Sequence, residues 1–342
     1  LLLVGSMASA QQVFIEDIIV QSTFRATNLM ETSNSISLIS AEEISNRSAN
    51  FLTEAFASTP NLNYSSGASR GRFFQIRGIG ERSQFVDPLN PSVGLIIDGI
   101  DYSTLGAAAT MFDDNQIEIL RGPQGTLFGA NALAGMINIA SNAATADRQA
   151  ILTAGLSDIS GNDGTSDSSD LGLVLNGALT DSVNGRLAVQ KNKSDGYVEN
   201  TYLGRDDTQN IDELTVRGKL DWQVSDAIDI SFTAIKLDID NGYDSFTLDN
   251  SRQTISDQPG TDALDSSALS SLVTVDISAE LDLEILLSTA QSDSEYSFDE
   301  DWANLGLCGN ADPADCYWYS SFDEYLRDTG TDTLDIRLIS EF

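Results

Sequence analysis

The sequence predicts a small α+β domain followed by antiparallel strands of a transmembrane β-barrel. Three observations lead there. The first 145 residues alternate apolar runs, glycines and helix-like segments, whereas the texture after residue 146 follows strand period throughout. In 214–224, LTVRGKLDWQV, one face carries Leu214, Val216, Gly218, Leu220, Trp222 and Val224. The other face carries Thr215, Arg217, Lys219, Asp221 and Gln223, which gives the wall one apolar side and one wet side. The connections between these strands also alternate, short turns on one end and long polar loops on the other, as in outer-membrane barrels.

Composition narrows the chemistry. The chain has 342 residues, 52 acidic against 18 basic, and a formal charge of −34. So acidic a chain is a poor partner for nucleic acid, and the surplus reads as a solvated surface. It contains no histidine, which removes the commonest general base and transition-metal ligand. No paired-carboxylate cleft motif or nucleophile motif replaces it, so no catalytic residue, metal ligand or cofactor is assigned and an enzyme is not expected.

Taken in order, residues 1–10 (LLLVGSMASA) resemble the end of an export signal, apolar and then Ala-x-Ala. The missing basic region suggests that the chain is a fragment at this end. Ser40 reads as the N-cap of a helix with Glu43 at its third position. A second helix is expected over Asn50–Ala57, ended by Pro60. Short strands are expected at 36–39, 74–77, 93–97, 116–120 and 136–139. The stretch LRGPQGTLFGANALAG (120–135) fits no phosphate-loop spacing and has no lysine. It is too apolar for a linker. Its glycines therefore serve tight turns and close packing.

After residue 146, strands are expected in 171–179, 186–191, 214–224, 228–234 and 273–288, the last folding back near 279–281. Long loops are expected at 158–169, 195–210, 240–269 and 297–330. About eight strands in all fall short of the roughly 22 that a lumen holding a separate domain requires, so the barrel is incomplete. Cys308 and Cys316 enclose seven residues in the fourth loop, a disulfide in an exported chain. The Asp-rich run SDISGNDGTSDSSD lacks the glycine and closing Glu of a calcium loop and reads as solvated.

The chain resembles the TonB-dependent outer-membrane receptors. The resemblance rests on IEDIIV (15–20), IRGIG (76–80), VGLIIDG (93–99) and LRGPQGTLFGANALAGMINI (120–139), in family order. It covers 11–145 strongly, and the strand 333–340 (TLDIRLIS) weakly. It implies a signal remnant at 1–10, a TonB box and linker at 11–23, a plug at 24–145 and the first part of the barrel at 146–342. The implied function is energy-coupled import across the outer membrane of a Gram-negative cell by a monomer. The partners are TonB, outer-membrane lipid and a small ligand such as a ferric siderophore, with a glycan or cobalamin as the alternative cargo.

Glu16, Asp17, Ile18, Ile19 and Val20 form the TonB box in this reading, a β-branched run suited to adding a strand to a partner's sheet. Arg77 and Arg121 are implied to lock plug to barrel, with Glu118 and the lumen-facing Asp221 as candidate acidic partners. Arg70, Arg72, Arg82, Gln84 and Phe85 are placed on outward apices, where rare positive charge suits an anionic ligand.

Overall fold

A computed structural model describes residues 19–20, 27–28, 32, 34–47, 49–56, 59–66, 69–83, 90–161, 164–247, 249, 251–308, 316 and 318–340. The signal remnant, Glu16, Asp17, Ile18, Gln84 and Phe85 lie outside the described residues. The N-terminal domain starts with β1 (Ile19–Val20) and β2 (Thr27–Asn28), paired antiparallel. There follow β3 (Ser35–Ser40), α1 (Ala41–Arg47), α2 (Leu52–Ala55), β4 (Leu62–Ser66), β5 (Gly71–Ile76), β6 (Val93–Ile97) and β7 (Ile100–Asp101). The domain closes with β8 (Asp114–Arg121), α3 (Gly125–Phe128) and β9 (Gly135–Ser141).

Local chemistry explains the ends of these elements. Ser40 Oγ accepts the Glu43 amide at 3.2 Å and starts α1. The second helix is shorter than its sequence pattern. The Glu54 carboxylate accepts the amides of Asn50 and Phe51, and the Leu52 amide bonds Ala109, so the helix begins at Leu52. Gly122 and Gly129 take φ of 101° and 76°, a region costly for other residues, and turn the chain on either side of α3.

The domain's five-stranded sheet has the order β3-β8-β9-β6-β7, with β6 and β9 parallel. Ile117, Ile119, Ile137, Ile139, Leu95 and Ile97 fill its core and are all at most 3% exposed.

A second sheet holds eight antiparallel strands in simple sequence order. They are β10 (Gln149–Gly161), β11 (Gly164–Ala178), β12 (Val183–Ser194), β14 (Ile211–Ser225), β15 (Ile228–Tyr243), β17 (Gly260–Ser278), β18 (Leu281–Asp299) and β19 (Phe322–Ser340). Two-residue strands β13 (Glu199–Asn200) and β16 (Gln253–Thr254) tie two loops together. Among the described residues β10 and β19 do not pair, so the sheet is open. No described helix is long and apolar enough to cross a membrane.

Three of the four expected long loops are shorter than the sequence suggested. Strands β10 and β11 stay in register to Gly161↔Gly164, so the Asp-rich run is mostly hairpin. The gap at 195–210 has its expected bounds, whereas the other two shrink to 244–259 and 300–321, and the strands run to 19 residues. Polar, acidic sequence resembles loop, yet above the lipid both faces of a strand are wet while its backbone still pairs. The wall's outer face is apolar near the short turns, with Leu220, Trp222, Phe232, Leu269, Leu287, Leu334, Ile336 and Leu338 all exposed.

Candidate functional site

The wall curves around one end of the five-stranded sheet, and two polar clusters hold the domain to it. The lower cluster, nearer the short turns, pairs three domain aspartates with three wall cations. Arg186 Nε and Nη2 donate to Asp113 Oδ2 and Oδ1 at 2.7 and 2.5 Å, a two-bond fork. Arg217 Nη1 lies 3.2 Å from Asp114 Oδ1, and its Nε lies 3.4 Å from Asp98 Oδ2. Lys219 Nζ donates to Asp98 Oδ1 at 2.9 Å. Asp98 also accepts the Ser141 amide and hydroxyl at 2.9 and 2.8 Å. Asp98 and Asp113 sit in turns at φ of 49° and 60°, which Asp tolerates better than most residues.

All six charges are largely excluded from water, and they sum to zero. Burial raises the Asp98 carboxyl, but Lys219 and Arg217 outweigh burial and hold it below its ordinary value. Asp114 goes the other way. Burial, opposed by Arg217 and reinforced by Asp98 and Asp113, pushes it up to about 7. Beside this cluster Gly172 admits the Phe112 ring, where a Cβ would stand 2.6 Å from a ring carbon.

The upper cluster lies toward the long loops. Arg70, 5% exposed, pairs with Glu213 of β14, donates to the Ala107 carbonyl at 2.8 Å, and stacks over Phe51 at 4.2 Å. Asn241 donates to Glu213 at 2.7 Å and to Ser69 at 3.2 Å. The Ser69 amide and hydroxyl both donate to Asp262, at 2.8 and 2.5 Å. Above this layer is an aromatic vestibule. Arg72 stands 5.2 Å over Tyr296, which neighbours Tyr243, Phe298 and Tyr325. Phe246 stacks on Trp302 at 4.7 Å.

The arginine roles expected from sequence are redistributed. Arg77 donates to Ser35 Oγ at 3.1 Å and Arg121 to the Pro60 carbonyl at 3.2 Å. Neither forms an ion pair among the described residues, and burial and the nearby Arg77 lower the Arg121 guanidinium. The physical reason is direction. Strand β8 begins at the wall with Asp114 and ends at Arg121, about 23 Å farther along. Glu118 is buried mid-strand, bonded by Gln116 at 2.6 Å. Asp221 does face the lumen but accepts from Ala144 and Ser231.

Arg70, expected to face ligand, is instead the buried plug-to-wall contact. Arg72 reaches the vestibule, and Arg82 is exposed and bonds the Gly78 carbonyl at 3.1 Å. Cys308 and Cys316 are joined in a disulfide in the connection between β18 and β19. Of the residues expected to form a TonB box, Ile19 and Val20 are in β1, with Val20 fully buried.

The seam residues missed by sequence had a signal. Arg217 and Lys219 occupy the wet face of β14, Asp98 ends the apolar run VGLII, and Asp113 and Asp114 are an acidic pair directly after the apolar stretch AAATMF.

Comparison with known proteins agrees with this architecture. Residues 28–136 match the family described as TonB-dependent Receptor Plug Domain. The chain is 28% identical over 247 residues to the vitamin B12 transporter BtuB of Vibrio vulnificus, covering 70% of this chain and 38% of that protein. It is 27% identical over 211 residues to the pesticin receptor of Yersinia pestis, covering 60% and 30%. It thus spans between 30% and 38% of these relatives' length. Its fold matches the ferric yersiniabactin uptake receptor FyuA from Yersinia pestis, with TM-score 0.64, 20% identity, and 78% and 42% of the two chains covered. It also matches the open form of the ferric-catecholate import receptor Fiu from E. coli, with TM-score 0.67, 17% identity, and 93% and 48% covered. Residues 28–136 are thus a plug domain of the TonB-dependent receptor type, and the eight antiparallel strands that follow share the fold of the solved outer-membrane receptors.

Proposed function

We propose that this receptor imports a ferric chelate across the outer membrane, energised through TonB. The observation that carries the reading is the vestibule, where Arg72 and a cluster of tyrosines top a plug that is sealed to the wall below. A guanidinium over aromatic rings suits the flat, anionic, aromatic-rich chelators of iron. Receptors named for ferric yersiniabactin, ferric catecholates and ferric enterobactin among the relatives support it. A second reading, cobalamin, is favoured by the vitamin B12 transporter among the relatives.

In this proposal residues 16–20 form the segment that TonB takes up. Ile19–Val20 already pair as a short strand with Thr27–Asn28, so capture by TonB exchanges one strand partner for another. The test is uptake by cells carrying the complete receptor, offered radioiron as ferric catecholate, ferric hydroxamate and ferric citrate, and labelled cyanocobalamin. At least one ferric chelate should enter, and Ile19→Pro should abolish entry. Entry of cyanocobalamin alone selects the second reading. Entry that survives Ile19→Pro overturns the TonB assignment.

A further inference from the structure

Between plug and wall, in the half nearer the short turns, is a cavity of about 510 Å³. Its plug side is the turn between β6 and β7, with Asp98, Gly99 and Asp101, together with Phe128 of α3. Its wall side is the inner face of β14 to β19, including Ser270, Glu284, Thr333 and Arg337. Above the cavity the wall continues in two different ways.

On β15 the inward residues are Ile235, Leu237 and Ile239, all at most 4% exposed and packed into the plug core. On β14 and β12 the inward residues are the cations that pair with Asp98, Asp113 and Asp114. This side is held by ion pairs and dry packing.

On β17, β18 and β19 the register instead places hydroxyls in rows. Ser270, Ser288 and Thr333 lie side by side, as do Ser266, Ser292 and Thr329 higher up. Between these rows stand the small residues Ala268, Ala290 and Thr331, of which the two alanines, with Leu264, are buried against the plug core and Thr331 is partly exposed. Below the Ser69–Asp262 contact the plug meets this surface through the two-residue edge strand β7, which touches β17, β18 and β19, and through the turn Gly106–Ala108, which touches β17. The plug's hydrogen bonds there are uncharged, Tyr102 to Ser266 at 3.4 Å and Ser270 donating to the Asp98 carbonyl at 3.0 Å, while Ser266 also bonds Ser292 at 2.8 Å within the wall. Water replaces such contacts at little cost, whereas breaking a buried ion pair strands a charge.

We propose that the ligand crosses the lumen along the hydroxyl-lined face of β17 to β19, the β6–β7 turn swinging away while the plug stays hinged on β12 to β15. Ser and Thr hydroxyls donate and accept without fixed charge, so the route suits a polar, hydrogen-bonding solute and holds it only weakly. The proposal rests on the import reading above, and its test has one arm that does not need import.

In the complete receptor, two cysteine pairs tether the plug at opposite sides. Gly99→Cys with Leu286→Cys spans the proposed route, since a Cβ at 99 would lie 3.0 Å from Leu286 Cδ1. Thr110→Cys with Thr215→Cys spans the hinge, where the two hydroxyls are 3.1 Å apart. Oxidation of the first pair should cut uptake of the imported ferric chelate at least tenfold, with recovery on reduction. Oxidation of the second should leave uptake within twofold. A hinge tether that blocks, or a route tether that does not, overturns the proposal.

Independently of import, Thr331→Cys should react with a small, charged thiol reagent at least tenfold faster than Leu237→Cys. Equal rates would show that the track is not hydrated and overturn the proposal whatever the uptake result. If none of the three chelates enters through the wild-type receptor while Thr331→Cys reacts fast, the iron reading fails and the track stands.

Discussion

Asp113 of the plug and Arg186 of the barrel wall face each other in a two-bond fork of 2.7 and 2.5 Å, with both side chains under a tenth exposed. Removing one partner leaves a buried charge with no counterion. Arg186→Met should therefore destabilise the plug-to-wall seam by about 3–5 kcal/mol. The double change Asp113→Leu with Arg186→Met should cost markedly less than either single change. Urea unfolding of the four proteins in detergent measures both numbers, and equal losses in all three variants would contradict the pairing.

Arg70 and Arg72 are separated by one residue and should behave differently. Arg70→Ala breaks the buried pair with Glu213 and should cost stability on the order of 3 kcal/mol. Arg72→Ala removes a guanidinium over Tyr296 and should weaken ligand binding by about fivefold, in line with roughly 1 kcal/mol for such a contact. Its melting temperature should hardly move. Calorimetry and ligand titration on both variants separate the roles.

Asp114 and Asp98 give opposite pH dependences. Asp114 titrates near 7 in the folded protein and near 3.8 when exposed, so between those values the folded state binds the extra proton. Stability from this group falls as pH rises from 4 to 7, and Asp114→Asn should flatten that slope. Asp98 is depressed, so its contribution is present above pH 3.8 and is lost as pH falls through its lower folded value. Unfolding midpoints measured from pH 3 to 8 in the two Asn variants distinguish the signs.

The wall's outer face makes a depth-dependent prediction. Phe232 and Leu220 lie in the apolar band, while Asp238 lies farther along the same outward row of β15. Phe232→Arg should cost about 2–4 kcal/mol and Asp238→Arg about 0–1 kcal/mol. Refolding into bilayers under increasing denaturant reads the difference.

How much of this was legible follows from what each signal depends on. Binary alternation in 214–224 assigned both faces of β14, because burial in lipid on one side leaves a period of two in the sequence. The same reasoning understated strand length in β17 and β19, whose upper halves carry polar or small residues on both faces and leave little period to read. The seam was harder. Lys219 and Asp98 are 121 positions apart, and only the curving of the wall around the domain brings them to 2.9 Å. Arg77 and Arg121 were assigned to the seam by family resemblance, but the direction of β8 carries Arg121 away from these eight strands.

The height of the strands carries a kinetic consequence. On β17 the outward row turns from Leu269 to Ser267 and Asp265, leaving nine residues, or about 30 Å of strand, standing beyond the hydrocarbon. The mouth of the receptor is thus a chimney in bulk electrolyte, and with a formal charge of −34 on the chain it meets its solute across a counterion cloud. For an anionic solute the encounter rate should climb as added salt contracts that cloud and screens the like charge, making the medium's ionic strength, rather than the lipid, the regulator of first capture.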